Sequence, residues 1–307
     1  MAQRMHVIAL FGPTGVGKTA VAVSLARCLR TLGESPVAVS ADALQVYQGI
    51  ETLTGVATSQ ERSELEHRLV SFLPLDASFS AGQYAELAHA QIDAALAEGR
   101  RPIAVGGTGL YLRAALTNLD LRPPPPEGVR ERWVAELELY GAPALHARLA
   151  QRAPWAAQGI DPNDRQRIVR TLELLDAGEL EQPNGPSQLW TDEVRQPTLL
   201  VGLVMDRDAL YSRIDARVEQ MLTDGAREEV LQAHAAGASP AVRKALGFDE
   251  LLAGDVEAMK RRTRNYARRQ LTWMRKLSGV QAIDVTDRPA GDVAAEILDR
   301  LSALEGS

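Results

Sequence analysis

A single cysteine in 307 residues, Cys28, excludes an intrachain disulfide framework and a multi-cysteine zinc site. Its neighbours Leu25, Ala26 and Leu29 mark it as a small buried side chain. No apolar run approaches the roughly 18 residues of a membrane span. The start, MAQRMHVIALFG, passes from a short polar stretch into a strand-like run with no signal-peptide anatomy, so a cytoplasmic protein without a membrane partner is expected. His67 lacks a second His or a carboxylate at metal-ligand spacing and reads as a structural histidine. No Ser/His/Asp or Cys/His nucleophile arrangement stands out, and no internal repeat is present. Acidic residues are missing altogether from Lys260 to Lys276, where KRRTRNYARRQLTWMRK carries eight basic side chains. The whole chain has a net charge of −6, so the remainder stands eight lower, at −14. A basic stripe on an acidic body points to a polyanion, although a solvated helix face gives the same run.

With 45% apolar and 24% charged residues, the composition is that of one large globular domain or two smaller ones. The runs HVIALFG, PVAVSAD and RPIAVGG alternate with segments of helical spacing at 18–32 and 82–98, the pattern of βαβ units and a parallel sheet. Two breaks interrupt it: LRPPPPEG (121–128), where proline can continue neither helix nor central strand, and EQPNGPSQ (181–188). Between them the sequence is helical in character, and afterwards TLLVGLVMD (198–206) returns to a strand pattern. The expected fold is therefore α/β, a P-loop NTPase-like parallel sheet core at 1–117 and 196–307 with an inserted, mainly helical subdomain at 118–195. Further helices are expected from Asp208, where Leu210, Ile214, Val218 and Leu222 recur every four residues, and over 257–277. A last strand, VQAIDVT, and a terminal helix follow.

Residues Gly12, Pro13, Thr14, Gly15, Val16, Gly17, Lys18 and Thr19 fit G-x-x-x-x-G-K-[ST] between a strand and a helix. Such a loop cradles phosphates with backbone amides, Lys18 neutralises terminal oxygens, and Thr19 can ligate Mg²⁺. Any di- or triphosphate satisfies it. Asp42, in SADALQVY after the second strand, is a candidate acid for metal or water, a base on an exocyclic amine, or a plain helix N-cap. Gln45 beside it is suited to an adenine edge. VGGTGLY (105–111) resembles a further anion loop in which glycines let backbone approach a ligand. Arg167 and Arg170 lie three apart on an expected helix, consistent with phosphate contacts or with a solvated surface.

Taken in order, GPTGVGKT, SADALQVY, HRLVSFLP, FSAGQY, GGTGLYLRAAL, PNDRQRIVRTLE, LYSRIDARVEQML, GAREEV, ALGFDEL and YARRQLTWMRK resemble the tRNA dimethylallyltransferases, also called tRNA isopentenyltransferases, along nearly the whole chain. The resemblance implies transfer of a dimethylallyl group from dimethylallyl diphosphate to N6 of adenosine 3′ of the anticodon, position 37, with release of diphosphate. By motif position it makes Asp42 the general base, Thr14 an orienting group, Gln45 a reader of the base and Arg213 an aid to the diphosphate. It places tRNA contacts on Asp42, Ala43, Leu44, Gln45, Thr108, Arg130, Gln166, Arg167, Ile168, Val169 and Arg170. The basic run at 260–276, with Tyr266 and Trp273 interleaved, gains a use on the tRNA backbone. The family's serine after the aspartate is Ala43 here, and its usual I-G-T-A-K-P-like stretch reads TLTGVATSQER. A monomer is expected, as no long apolar stripe is left over. The rival readings are an adenylate isopentenyltransferase acting on a free nucleotide, a small-molecule P-loop kinase, and an RNA-binding protein with an inactive loop.

Overall fold

The β-branched runs become six parallel strands: β1 (Val7–Phe11), β2 (Pro36–Ser40), β3 (His67–Arg68), β4 (Arg101–Gly106), β5 (Thr198–Val204) and β6 (Gln281–Asp284), in the order β3-β2-β4-β1-β5-β6. They are read from a computed structural model that describes residues 5–122, 125–182 and 188–306. Every residue of β1 is at most 1% exposed, which explains why the run is uniformly apolar rather than alternating: helices cover both faces of the sheet. Ile8 stands opposite Ile103 of β4 and Leu199 of β5, and Leu25, Val201 and Ile297 close the core around them. Cys28 packs at the edge of this core and is only partly buried, a correction to the buried thiol expected. The two-residue β3 was not foreseen, being too short for any periodicity. His67 within it shares a 2.6 Å hydrogen bond between Nδ1 and the Leu65 carbonyl.

The helices fall close to their expected places, among them Lys18–Thr31, Ala81–Ala97, Arg207–Thr223, Val256–Met274 and Ala290–Glu305. A second apolar cluster joins Val46, Tyr47, Ile50 and Leu53 to Val218, Val230, Val242 and Phe248, so the segment after β2 is pinned to the Arg207–Thr223 helix. The basic run divides in two. Lys260 pairs with Glu219 (2.6 Å) and Glu257 (2.8 Å), Arg262 with Glu250, and Arg264 with Asp215 (2.7 Å). Arg268, Arg269, Arg275 and Lys276 form no ion pair among the described residues.

The chain separates into two compact units, Met1–Leu119 with Gln188–Ser307, and Asp120–Ser187. In the second, helices Val129–Tyr140, Ala142–Arg152 and Arg165–Asp176 bury Trp133, Leu137, Leu145, Leu149, Ile168 and Leu172. The expected proline-rich breaks lie partly outside the described residues, at 123–124 and 183–187.

Candidate active site

Ligands of an open parallel sheet bind beyond the carboxyl ends of its strands, where the strand order reverses. Here that point is β1, with β4, β2 and β3 to one side and β5 and β6 to the other. The Gly12–Thr19 segment leaves β1 at this position. Gly15 and Gly17 adopt φ of 83° and 98°, turning the backbone so that the unpaired amides of the first turn of Lys18–Thr31 face the loop. Val16, 1% exposed, anchors the loop in the core. Lys18 Nζ donates to the carbonyls of Gly12 (2.9 Å) and Pro13 (3.0 Å), and burial, reinforced by the Arg217 charge and opposed by Asp42, brings its pKa down to about 7. Helix-terminal amides and a poorly solvated ammonium are what a bound diphosphate or triphosphate requires.

Asp42 emerges from β2 alongside. Its Oδ1 accepts the Leu44 N–H (2.9 Å) and its Oδ2 accepts the Thr108 hydroxyl (3.3 Å), so it caps a turn and no helix starts there. The approach of the two loops depends on Gly106, where a Cβ would stand 2.1 Å from the Ala41 carbonyl oxygen. Burial raises the Asp42 pKa above the ordinary carboxylate value, while the Leu44 amide, Lys18, the Gln45 amide and Thr108 oppose the rise. A carboxylate so held, with its proton affinity raised, suits a general base.

The Arg207–Thr223 helix sends two arginines toward the loop, one turn apart. Arg213 is exposed and passes Gly17, its Nη2 3.2 Å from where a Cβ would be. Arg217, not foreseen as a site residue, reaches further in. A Cβ at Gly55 would fall 1.7 Å from its Nη2, burial lowers its pKa, and the charges of Lys18 and Asp42 couple to it. Among the described residues its guanidinium has no hydrogen-bond or ion-pair partner. Gly55 and Glu61, which also acts on Arg217, both belong to the segment TLTGVATSQER.

Gln45 spends its amide inside the fold. Its Oε1 accepts the Ser40 hydroxyl (3.0 Å) and its Nε2 donates to the carbonyls of Thr54 (3.2 Å) and Gly55 (3.1 Å). Reading a base would require it to exchange these bonds. Ala43 and Leu44 are half-buried, Leu44 against the second apolar cluster. Thr14 gives its backbone N–H to Gln270 Oε1 (2.8 Å), and Gln270 Nε2 donates to the Gly107 carbonyl (2.8 Å). The glycines after β4 thus make room for the protein's own neighbours: a Cβ would stand 2.3 Å from Gln270 at Gly107 and 2.2 Å from the Trp273 ring at Gly109. Tyr266 and Trp273, both half-buried, accordingly meet this turn.

The other expected RNA residues lie in the helical unit. Ile168 and Val169 are 0% and 3% exposed and belong to its core, a correction that leaves their side chains no RNA to touch. Gln166 and Arg167 are exposed. Arg130 and Arg170 share the buried Glu173, at 2.9 and 3.3 Å. Among the described residues no three His, Cys, Asp or Glu side chains gather as a metal cage. Thr19, half-buried in the first helical turn, fits a Mg²⁺ ligated by one hydroxyl and by phosphate oxygens, the mode this ion favours. No helix among the described residues is long and apolar enough to cross a membrane.

Comparison with known proteins bears on the family. A family model described as IPP transferase matches residues 45–277. The chain is 41% identical over 283 residues to a tRNA dimethylallyltransferase of Rhodospirillum centenum, 88% of each chain being covered. It is 39% identical over 284 residues to that of Nitrobacter hamburgensis, with 87% of each covered. The crystal structure of a full-length tRNA isopentenylpyrophosphate transferase from Bacillus halodurans superposes with a TM-score of 0.68 at 31% identity, covering 99% of this chain and all of that one.

Proposed function

The chain belongs to the IPP transferase family, and from that premise we propose that it transfers a dimethylallyl group from dimethylallyl diphosphate to N6 of adenosine 37 in tRNA, releasing diphosphate. The observation that carries the reading is the convergence of Asp42, Lys18 and Arg217 at the end of β1 and β2, a base beside two cations. The N6 lone pair attacks C1 of the dimethylallyl group, the C1–O bond breaks with its electrons leaving on the diphosphate, and Asp42 takes a proton from N6. Asp42 acts in its ionised form, and its raised pKa increases its affinity for the proton it receives. The loop amides, Lys18 and Arg217 offset the charge that grows on the departing diphosphate. Thr19 is the residue to hold Mg²⁺, which when bound supplies further charge neutralisation on the diphosphate. The target adenine leaves the anticodon-loop stack to reach Asp42, and contacts to the flipped base offset that cost.

Gln166 and Arg167, together with Arg268, Arg269, Arg275 and Lys276, which form no ion pair among the described residues, are assigned to the tRNA backbone. We assign the protein to the cytoplasm, in keeping with a tRNA substrate. The donor-side residues all lie in one chain, which a monomer satisfies. The test is incubation of the purified protein with Mg²⁺, dimethylallyl diphosphate and unmodified tRNA, followed by digestion and mass spectrometry, with AMP as a parallel acceptor. Prenylated adenosine in tRNA is the expected product. Product on AMP alone moves the protein to the free-nucleotide transferases, and no prenylation of either acceptor overturns the reading.

A further inference from the structure

Tyr266, Gln270 and Trp273 lie four and three residues apart on the Val256–Met274 helix, hence on one face, and all three meet the turn after β4. Trp273 covers Gly109 and Gln270 bridges Gly107 to Thr14. The Tyr266 hydroxyl stands 3.3 Å from Thr108 Oγ1, which is itself 3.3 Å from Asp42 Oδ2. The direction of this chain follows from what each group can do. An ionised carboxylate only accepts, so Thr108 donates its one proton to Asp42. Thr108 then has only lone pairs to offer Tyr266, and the proton between them belongs to the tyrosine. Burial first, then the nearby Asp42 charge, push the Tyr266 pKa up to about 12, so it retains that proton at neutral pH.

We propose that Tyr266 is a positioning residue for the base, holding the Thr108 hydroxyl in the donor orientation that fixes Asp42 Oδ2. The assignment rests on the dimethylallyl-transfer reading above. With the Leu44 amide on Oδ1, both carboxylate oxygens are then held and the plane of the base is set before the adenine arrives. The helix that carries Tyr266 also ties down the diphosphate loop through Gln270, so base and leaving-group site share one support.

Several other groups act on Asp42: Lys18 at the start of the first helix, Arg217 on the Arg207–Thr223 helix, the Leu44 and Gln45 amides, and the hydroxyls of Tyr84 and Tyr111. None of these is removed when Tyr266 becomes phenylalanine; the variant also gives up the hydrogen bond between the Tyr266 hydroxyl and Gln270, which keeps its bonds to Thr14 and Gly107, and the Arg269 guanidinium, 5.5 Å from the Tyr266 ring centroid, keeps a ring to cover. Tyr266→Phe is expected to lower kcat roughly 2- to 10-fold, the range set by one net hydrogen bond. KM for both substrates and Tm stay near wild type, and the acid limb of the kcat profile moves to higher pH because the ionised base loses support. Thr108→Val is expected to cause a larger loss, Thr108→Ser to restore most of it, and Tyr266→Phe added to Thr108→Val to lose nothing more. An active wild type whose kcat and pH profile survive Tyr266→Phe unchanged overturns the assignment alone, as do losses that multiply in the double variant or fall on KM and Tm. A wild type that prenylates no RNA overturns the transferase reading and this assignment with it.

Discussion

Lys18→Met is expected to make the ligand-free protein more stable while destroying its diphosphate site. In the folded chain burial and Arg217 hold the Lys18 ammonium at a pKa of about 7, against 10.5 for an ordinary lysine. At 1.36 kcal/mol per unit the difference corresponds to about 5 kcal/mol, which solvent screening of a half-buried group reduces to about 2–3 kcal/mol. The hydrogen bonds to Gly12 and Pro13, lost in the variant, return about 1–2 kcal/mol of that. The net gain is about 1 kcal/mol, or roughly 1–2 °C in Tm for a chain of this size. The pH dependence has a definite sign. Between about pH 7 and 10.5 the unfolded chain binds the Lys18 proton and the folded chain does not, so wild-type stability rises with pH across that window. The variant has no such term, and its advantage shrinks from about pH 7 to about pH 9. Inorganic diphosphate reverses the order, stabilising the wild type by about 2.7 kcal/mol at a hundredfold excess over Kd and the variant far less. Calorimetric or fluorimetric melting at both pH values, with and without diphosphate, checks the reasoning. A variant that melts below the wild type at neutral pH without ligand, or a Tm gap flat with pH, refutes it.

Asp42→Asn is expected to lower prenyl transfer by roughly 10²- to 10⁴-fold, and the wild-type rate to rise with pH along a limb lying above the ordinary carboxylate range; single-turnover assays across pH read both. Arg217→Gln is expected to weaken binding of dimethylallyl diphosphate by about tenfold or more, and Arg213→Gln by clearly less, as measured by titration calorimetry. In the helical unit, Glu173→Ala strips Arg130 and Arg170 of their shared carboxylate and leaves a hole at a fully buried position, lowering stability by about 2–4 kcal/mol in chemical denaturation.

The parts of the site that could be read from the sequence are those whose chemistry is local. Gly12–Thr19 carries its own turn, helix start and lysine within eight residues, and Asp42 stands directly after a strand. Arg217 escaped because Arg213 and Arg217, four apart on one helix, present the same face. The choice between them depends on Gly55, which sits in a segment pinned to that helix by Val46, Ile50 and Leu53. Gln270 escaped for a stronger reason: its partners are 163 and 256 residues away in sequence, and a glutamine within a basic run otherwise reads as solvated surface.

The basic run shows how far charge counting reaches. Eight cations without an acid pointed to a polyanion, but the residues that neutralise Lys260, Arg262 and Arg264 come from elsewhere in the chain: Glu219, Glu250 and Asp215. These pairs fasten the helix in place. That fixed axis is what turns Tyr266, Gln270 and Trp273 onto the Gly107–Gly109 turn, and it leaves Arg268, Arg269, Arg275 and Lys276 without carboxylate partners among the described residues. The polyanion signal therefore belongs to half the run. The other half is the electrostatic anchor by which a helix near the end of the chain orders two loops near its beginning, and a sequence window cannot separate the two because the difference lies in which acids arrive from outside it.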